Sequence, residues 1–260
     1  MTSKNLSFLI SNPRAGNTLL SSILNQNKRI NVTANSITFE ILHQLHKIKE
    51  GFIFKNFPDH NSFNNVCNNV FKNYYKDWDY DYIIDRSSTA LTPENTKYFN
   101  YSKYKFIFLK RDIEEVVKSF IKLYQDNGDK REIEKIAEDI LNPDLILCRS
   151  ILSMVNGYKT LNKEQYITIN YEEILENPKN VIEKIYSFLK IEIFTHRFNN
   201  LNQFESNYQK YDDNIFKHSK GMHEIRTDKI SKNHLEIDLP KEIRNKCIVL
   251  NNLLNNSSSI

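Results

Sequence analysis

The 260-residue chain has no uninterrupted apolar stretch of the roughly 18 residues that a membrane helix requires, so no membrane span is expected. The opening MTSKNLSFLISNPRAG has only a short apolar run and no small-residue cleavage site after it, so no secretory signal is expected either. Cysteine is scarce: Cys67, Cys148 and Cys247 are odd in number and far apart. They suit reduced thiols in a cytoplasmic compartment, and no C-x-x-C metal spacing is present. Charge of one sign is also lacking. The 36 basic and 32 acidic side chains leave +4, too little to argue for a nucleic-acid partner. Glycine is rare, with 5 in the chain, so a glycine beside a strand stands out.

What is present is a globular pattern, with 40% hydrophobic residues. Short, nearly continuous apolar runs at 6–10, 81–86, 105–111 and 165–170 read as buried parallel strands. Helical spacing follows each of them or lies between them. It covers Leu19 to Leu24, 36–49, 60–77, and Ile113 to Tyr124 with a polar extension to about 141. It resumes after Asn142-Pro143 to about 160, then over 178–190 and 240–254. Alternating strands and helices predict an α/β fold, a parallel sheet with helices on both faces. One domain over 1–260 is expected, less regular beyond 195, with a frayed tail at 255–260.

The first strand runs into SNPRAGNTLL, residues 11–20. A nucleoside-triphosphate loop reads G-x-x-x-x-G-K-S/T, with backbone N–H groups around the phosphates and a lysine on the β/γ-phosphates. Here Ser11 replaces the first glycine and Asn17 the lysine, while Gly16 and Thr18 keep their places. The N–H cradle needs no particular side chain and survives. Arg14 adds a permanent cation. Such a loop suits an anion other than a magnesium triphosphate, or else is only a tight strand-to-helix turn.

A second cluster follows the strand at 105–111. Arg111 ends it, at the sheet edge where open α/β folds bind ligands. Ser119 lies outside the apolar stripe of the next helix. Together an arginine and a hydroxyl can hold one phosphate.

At this point the chain resembles the sulfotransferase family. LISNPRAGNTLLSSILNQN is similar to that family's 5′-phosphosulfate loop, and KFIFLKRDIEEVVKSF to its 3′-phosphate motif. ITINYEEILENP resembles a later strand and Y-E-x-L segment, and GMHEIRTDKISK a loop that closes over the cofactor in tyrosylprotein and bacterial branches. The resemblance implies a P-loop NTPase-like fold and 3′-phosphoadenosine 5′-phosphosulfate (PAPS) as donor, with no metal required. Arg14, Ala15, Gly16, Asn17 and Thr18 would then hold the 5′-phosphosulfate. Arg111 and Ser119 would hold the 3′-phosphate, Tyr171 would lie beside the cofactor, and Arg226 with Lys229 or Lys232 would come over it. Ile113 departs from the proline usual after the Arg-Asp pair.

For the chemistry, Arg86 stands where relatives often carry a lysine after the second strand, in position to meet the leaving phosphate. An acceptor hydroxyl also needs a base, and the candidates are Glu40 and Asp85. His43 and His46 read as packed or solvated helix residues. A hydroxylated acceptor is implied: a carbohydrate, a phenol, another small molecule or a peptide tyrosine. The sequence also admits two other readings. One is a P-loop kinase or NTPase with Asp85 on magnesium; the other is a non-catalytic nucleotide-binding module.

Overall fold

The computed structural model describes residues 5–97, 99–216, 218–226, 228–231 and 235–258. The strands β1 (Asn5–Ser11), β2 (Ile30–Asn35), β3 (Tyr82–Arg86), β4 (Lys105–Lys110) and β5 (Tyr166–Asn170) form a parallel sheet in the order β2-β3-β1-β4-β5. The helices up to β4 are α1 (Asn17–Leu24), α2 (Thr38–Ile48), α3 (Phe52–Asn56), α4 (His60–Asn68), α5 (Val70–Tyr74) and α6 (Pro93–Thr96). Those after it are α7 (Ile113–Asp126), α8 (Ile133–Ile140), α9 (Ile146–Thr160), α10 (Tyr171–Glu176), α11 (Pro178–Leu189) and α12 (Lys241–Ser258).

The period-2 alternation of strand side chains decides which face each residue serves. Phe8 and Ile10 of β1, with Phe106 and Phe108 of β4, enter one core beneath α2, α5, α7, α8, α9 and α12. Leu9, Ile107 and Leu109 enter the other, beneath α1, α10 and α11. The expected α/β architecture with helices on both faces is thus the one observed. The first core is held by ring contacts: Phe8 meets Phe39, Phe71, Phe99, Tyr104 and Phe106 with centroids 5.2–5.6 Å apart. No helix among the described residues is long and apolar enough to cross a membrane.

Several boundaries differ from the sequence reading. The edge strand β2 was not expected. Its INVTAN sequence carries two asparagines, poor strand formers, and the side chain of Asn25 fixes its middle instead. Asn25 Oδ1 accepts from the Val32 N–H at 2.7 Å, and Nδ2 donates to the Val32 carbonyl at 3.2 Å. The stretch 60–77 is two helices, split at Asn69. The polar extension of α7 is interrupted by a turn at Gly128, whose φ is +84°. Helix α9 begins at Ile146, three residues beyond Pro143, because 142–145 form a turn closed by the Leu145 N–H on the Asn142 carbonyl. The tail expected to fray is helical through Ser258, where Leu254 and Ser257 are buried.

The topology creates the site. β1 lies between β3 and β4. The chain leaves β1 toward β2 on one side and later crosses to β4 on the other. The crevice above β1 is therefore the switch point at which such sheets bind ligands. It brings Arg86, the loop 12–16 and Arg111 side by side.

Candidate functional site

The loop after β1 is set by its backbone. Arg14 (φ 60°) and Gly16 (φ 83°) both take the left-handed conformation, and Gly16 caps α1 without any side-chain hydrogen bond. The first N–H groups of α1 therefore stand at an uncapped N-terminus facing the crevice, where the helix dipole favours an anion. Ala15 is fully buried beneath the loop and its N–H donates to the Asn12 carbonyl at 3.3 Å. Asn17, in the lysine position, turns inward instead of reaching out: its Nδ2 donates to the same carbonyl at 2.9 Å. The side chain thus braces the loop from inside. Thr18 lines the cleft.

Gly16 is required twice over. A Cβ there would stand 2.6 Å from Cδ2 of Tyr171, and its φ disfavours any L side chain. Gly16→Ala should therefore destabilise the fold by about 1–3 kcal/mol, read by urea denaturation. An unchanged midpoint would mean that Tyr171 does not pack on the loop.

Tyr171 opens α10 and joins two site residues. Its ring covers Gly16 on one side, and the Arg111 guanidinium lies 4.6 Å from the ring centroid. Arg111, only 8% exposed, donates through Nη1 to the Arg14 carbonyl at 3.0 Å. Its Nη2 lies 3.5 Å from Glu115 Oε2, one turn along α7.

Arg14 departs from the expected division of labour. Its backbone belongs to the loop, but its Nε donates to Ser119 Oγ at 3.1 Å and its Nη1 to the Met222 carbonyl at 2.6 Å. Arg14, Arg111 and Ser119 therefore form one cluster rather than two separate ends. Burial, then the neighbouring Arg111 charge, pull the Arg14 pKa below its ordinary value.

Arg86 ends β3 and lines the same cleft. It is 6% exposed, and burial lowers its pKa. Nη2 donates to Asn35 Oδ1 at 3.2 Å, and the guanidinium lies 5.7 Å from the Tyr211 ring centroid. Nη1 is buried with no hydrogen-bond partner among the described residues. A buried cation with an unsatisfied donor is costly in isolation and is expected to meet an anion.

The two carboxylates named from sequence occupy different settings. Asp85 lies under the cleft floor, fully buried, and its Oδ2 accepts from the hydroxyls of Tyr75 (2.5 Å), Thr38 and Ser36 (both 2.8 Å). Burial raises its pKa against the pull of these donors. Glu40, on the first turn of α2, is exposed on the cleft wall and accepts from Gln44 Nε2 at 2.6 Å.

Arg226 and Lys229 are exposed and line the cleft from the irregular segment before α12. That segment is tied down by Gln203, which exchanges two hydrogen bonds with the backbone of Ile225 at 2.8 and 3.0 Å. Lys229 bridges to Asn199. Lys232 lies outside the described residues. Sequence reasoning missed a second feature of this segment, a stack of Tyr211, His223 and Asp213 beside Arg86. Nothing periodic marks these three residues in the sequence; only the fold assembles them.

The cleft that these residues line encloses about 1480 Å³, room for a nucleotide and a second small molecule. A parallel sheet with an uncapped helix N-terminus, two buried arginines and a half-buried third at its switch point is an arrangement suited to a polyanion. The sulfotransferase family profile matches residues 7–196, most of this chain, which belongs to the sulfotransferase family.

The fold is shared with the first two of the following solved structures. A sulfotransferase from Alicyclobacillus acidocaldarius is 13% identical, with 100% of this chain and 97% of that chain covered and a TM-score of 0.55. The sulfotransferase domain of the Synechococcus PCC 7002 olefin synthase is 16% identical over 96% of this chain and 97% of that one, with a TM-score of 0.53. A mouse sulfotransferase, SULT7A1, solved in complex with PAP, is 18% identical over 75% of this chain and 62% of that one, with a TM-score of 0.47. No curated protein sequence matches the chain significantly.

Proposed function

We propose that the protein moves the sulfuryl group of PAPS to an acceptor hydroxyl. The observation that carries this reading is the set of three guanidinium groups, buried Arg86 and Arg111 and half-buried Arg14, around a helix N-terminus whose loop has no lysine. PAPS offers what this arrangement fits: a singly phosphorylated 5′ end carrying sulfate, and a separate 3′-phosphate.

In this reading the backbone of Arg14, Ala15, Gly16 and Asn17, with the Thr18 hydroxyl, holds the 5′-phosphosulfate. Arg111 and Ser119 hold the 3′-phosphate, and the Arg14 side chain joins them there. Tyr171 fixes the distance between the two ends by packing on both Gly16 and Arg111. Arg226 and Lys229 approach the nucleotide from the C-terminal segment.

Sulfuryl transfer is an in-line displacement governed by positioning and charge. The leaving phosphate gains negative charge as the bond from sulfur to its bridging oxygen breaks. The open Nη1 of Arg86 supplies a hydrogen bond and a cation there, from a side chain already buried at the end of β3. Asp85 acts from below, holding the Ser36 and Thr38 hydroxyls that shape the floor. Glu40 stands on the wall where an acceptor enters. Phe39, Ile146 and Leu147 line the same cleft, so a phenol or another hydroxyl on an apolar body fits this wall.

The direct test is transfer of label from sulfur-labelled PAPS to a phenolic acceptor. Labelled ester together with PAP, the desulfated product, is the expected result. Transfer of label from γ-labelled ATP instead would replace this reading with the kinase one.

A further inference from the structure

The irregular segment between α11 and α12 builds a histidine–carboxylate pair inside the cleft. A 3₁₀ turn, Asp213–Ile215, presents the Asp213 carboxylate to His223 twice. Oδ2 accepts from the His223 backbone N–H at 2.8 Å, and Oδ1 accepts from Nδ1–H at 2.6 Å. Both side chains are almost covered, 11% exposed for Asp213 and 6% for His223. The imidazole lies flat on Tyr211, with centroids 3.6 Å apart and planes at 5°. Tyr211 in turn faces Arg86, and the carbonyl of Met222, the residue before His223, accepts from Arg14. His223 lines the cleft. A carboxylate can only accept, so the proton sits on Nδ1, and Nε2 carries a lone pair with no hydrogen-bond partner among the described residues. The ring is clamped in one orientation and one tautomer, beside the arginines assigned to the donor.

We propose that His223, oriented by Asp213, takes the proton from the acceptor hydroxyl. This rests on the sulfuryl-transfer reading above. The acceptor oxygen bonds to sulfur while the bond from sulfur to the bridging oxygen of the 5′-phosphate breaks. The electron pair of that bond stays on the phosphate. The hydroxyl proton passes to Nε2 and then to water. The charged and titratable groups around the ring are Asp213, Tyr211, Arg86 and Arg14. Burial first, then Arg86 and Arg14, lower the histidine pKa, against the opposing pull of Asp213. The ring is therefore neutral at pH 7 and fit to accept a proton. Glu40 has no comparable clamp, and Asp85 is spent on three hydroxyls.

The test uses PAPS, phenol as acceptor, and the full chain carrying His223→Asn or Asp213→Asn. His223→Asn should lower kcat by about 10²-fold and remove the acid limb of the kcat–pH profile, with thermal stabilisation by PAP retained. Asp213→Asn should lower kcat and move the acid limb. A His223→Asn protein that keeps the parental rate and acid limb overturns the proposal. So does one that loses PAP stabilisation along with activity, since His223 would then be a donor-site or structural residue. Where a variant does not fold, nitrogen-15 NMR of the parent decides. Nε2 unprotonated at pH 7, titrating below the ordinary value of about 6.5, supports the proposal; Nδ1 unprotonated overturns it. A parent that is not stabilised by PAP at all sinks the sulfuryl-transfer reading, and this inference falls with it.

Discussion

Arg111→Ala is expected to weaken PAP binding by about 10³-fold or more, beyond the reach of a thermal-shift titration. The size follows from its setting. Arg111 is buried, placed over the Tyr171 ring at 4.6 Å from its centroid and bonded to the Arg14 carbonyl at 3.0 Å, so its fork is fixed before any ligand arrives. A preorganised, charge-assisted pair loses little side-chain entropy on binding. Truncation also removes a brace from the loop, because the Arg14 carbonyl loses its donor. Arg111→Lys should recover only part of the affinity, since an ammonium cannot make the fork or keep the ring stack. Calorimetric titration of both variants checks this. A loss of less than tenfold for the alanine variant would place the 3′-phosphate elsewhere.

Arg86→Met should lower kcat by about 10²–10³-fold while leaving the Kd for PAPS within a few-fold of the parent. Here the effect lies in the transition state, where charge develops on the leaving phosphate. Stability should move in the opposite direction. The guanidinium is buried, burial lowers its pKa, and Nη1 has no partner among the described residues. Removing a buried cation that has Asn35 and the Tyr211 ring but no carboxylate partner among the described residues relieves a desolvation cost, so Tm should hold or rise. Arg86→Lys, which keeps the charge, should retain much more activity than Arg86→Met. Equal loss in the two variants would mean that Arg86 acts through shape rather than charge.

The elements with a strong local signal are legible in the sequence. β1, β3 and β4 carry short, nearly continuous apolar runs, and α7 has a nearly complete stripe. The loop is visible because Gly16 and Thr18 keep the spacing of a phosphate loop while Asn17 breaks it. β2 was hidden because its pairing depends on a clasp from Asn25 rather than on its own composition. The contact of Arg14 with Ser119 spans 105 positions and arises only when β1 and β4 lie side by side. The same holds for Tyr171 over Gly16, which needs β5 and β1 on either side of β4. The His223–Asp213 pair comes from an irregular segment without periodicity, so no pattern announced it. Sequence displayed the binding elements, and tertiary packing decided which side chains face one another.

On the proposed function, this crevice takes a 3′-phosphorylated nucleotide rather than a magnesium triphosphate. The most direct measurement is the melting temperature of the intact chain with PAP alone, against ATP plus magnesium. A ligand at about 100 times its Kd adds about 2.7 kcal/mol to stability, a shift easily read. PAP without metal should raise Tm, and ATP with magnesium should not. Stabilisation by ATP with magnesium alone would contradict the account.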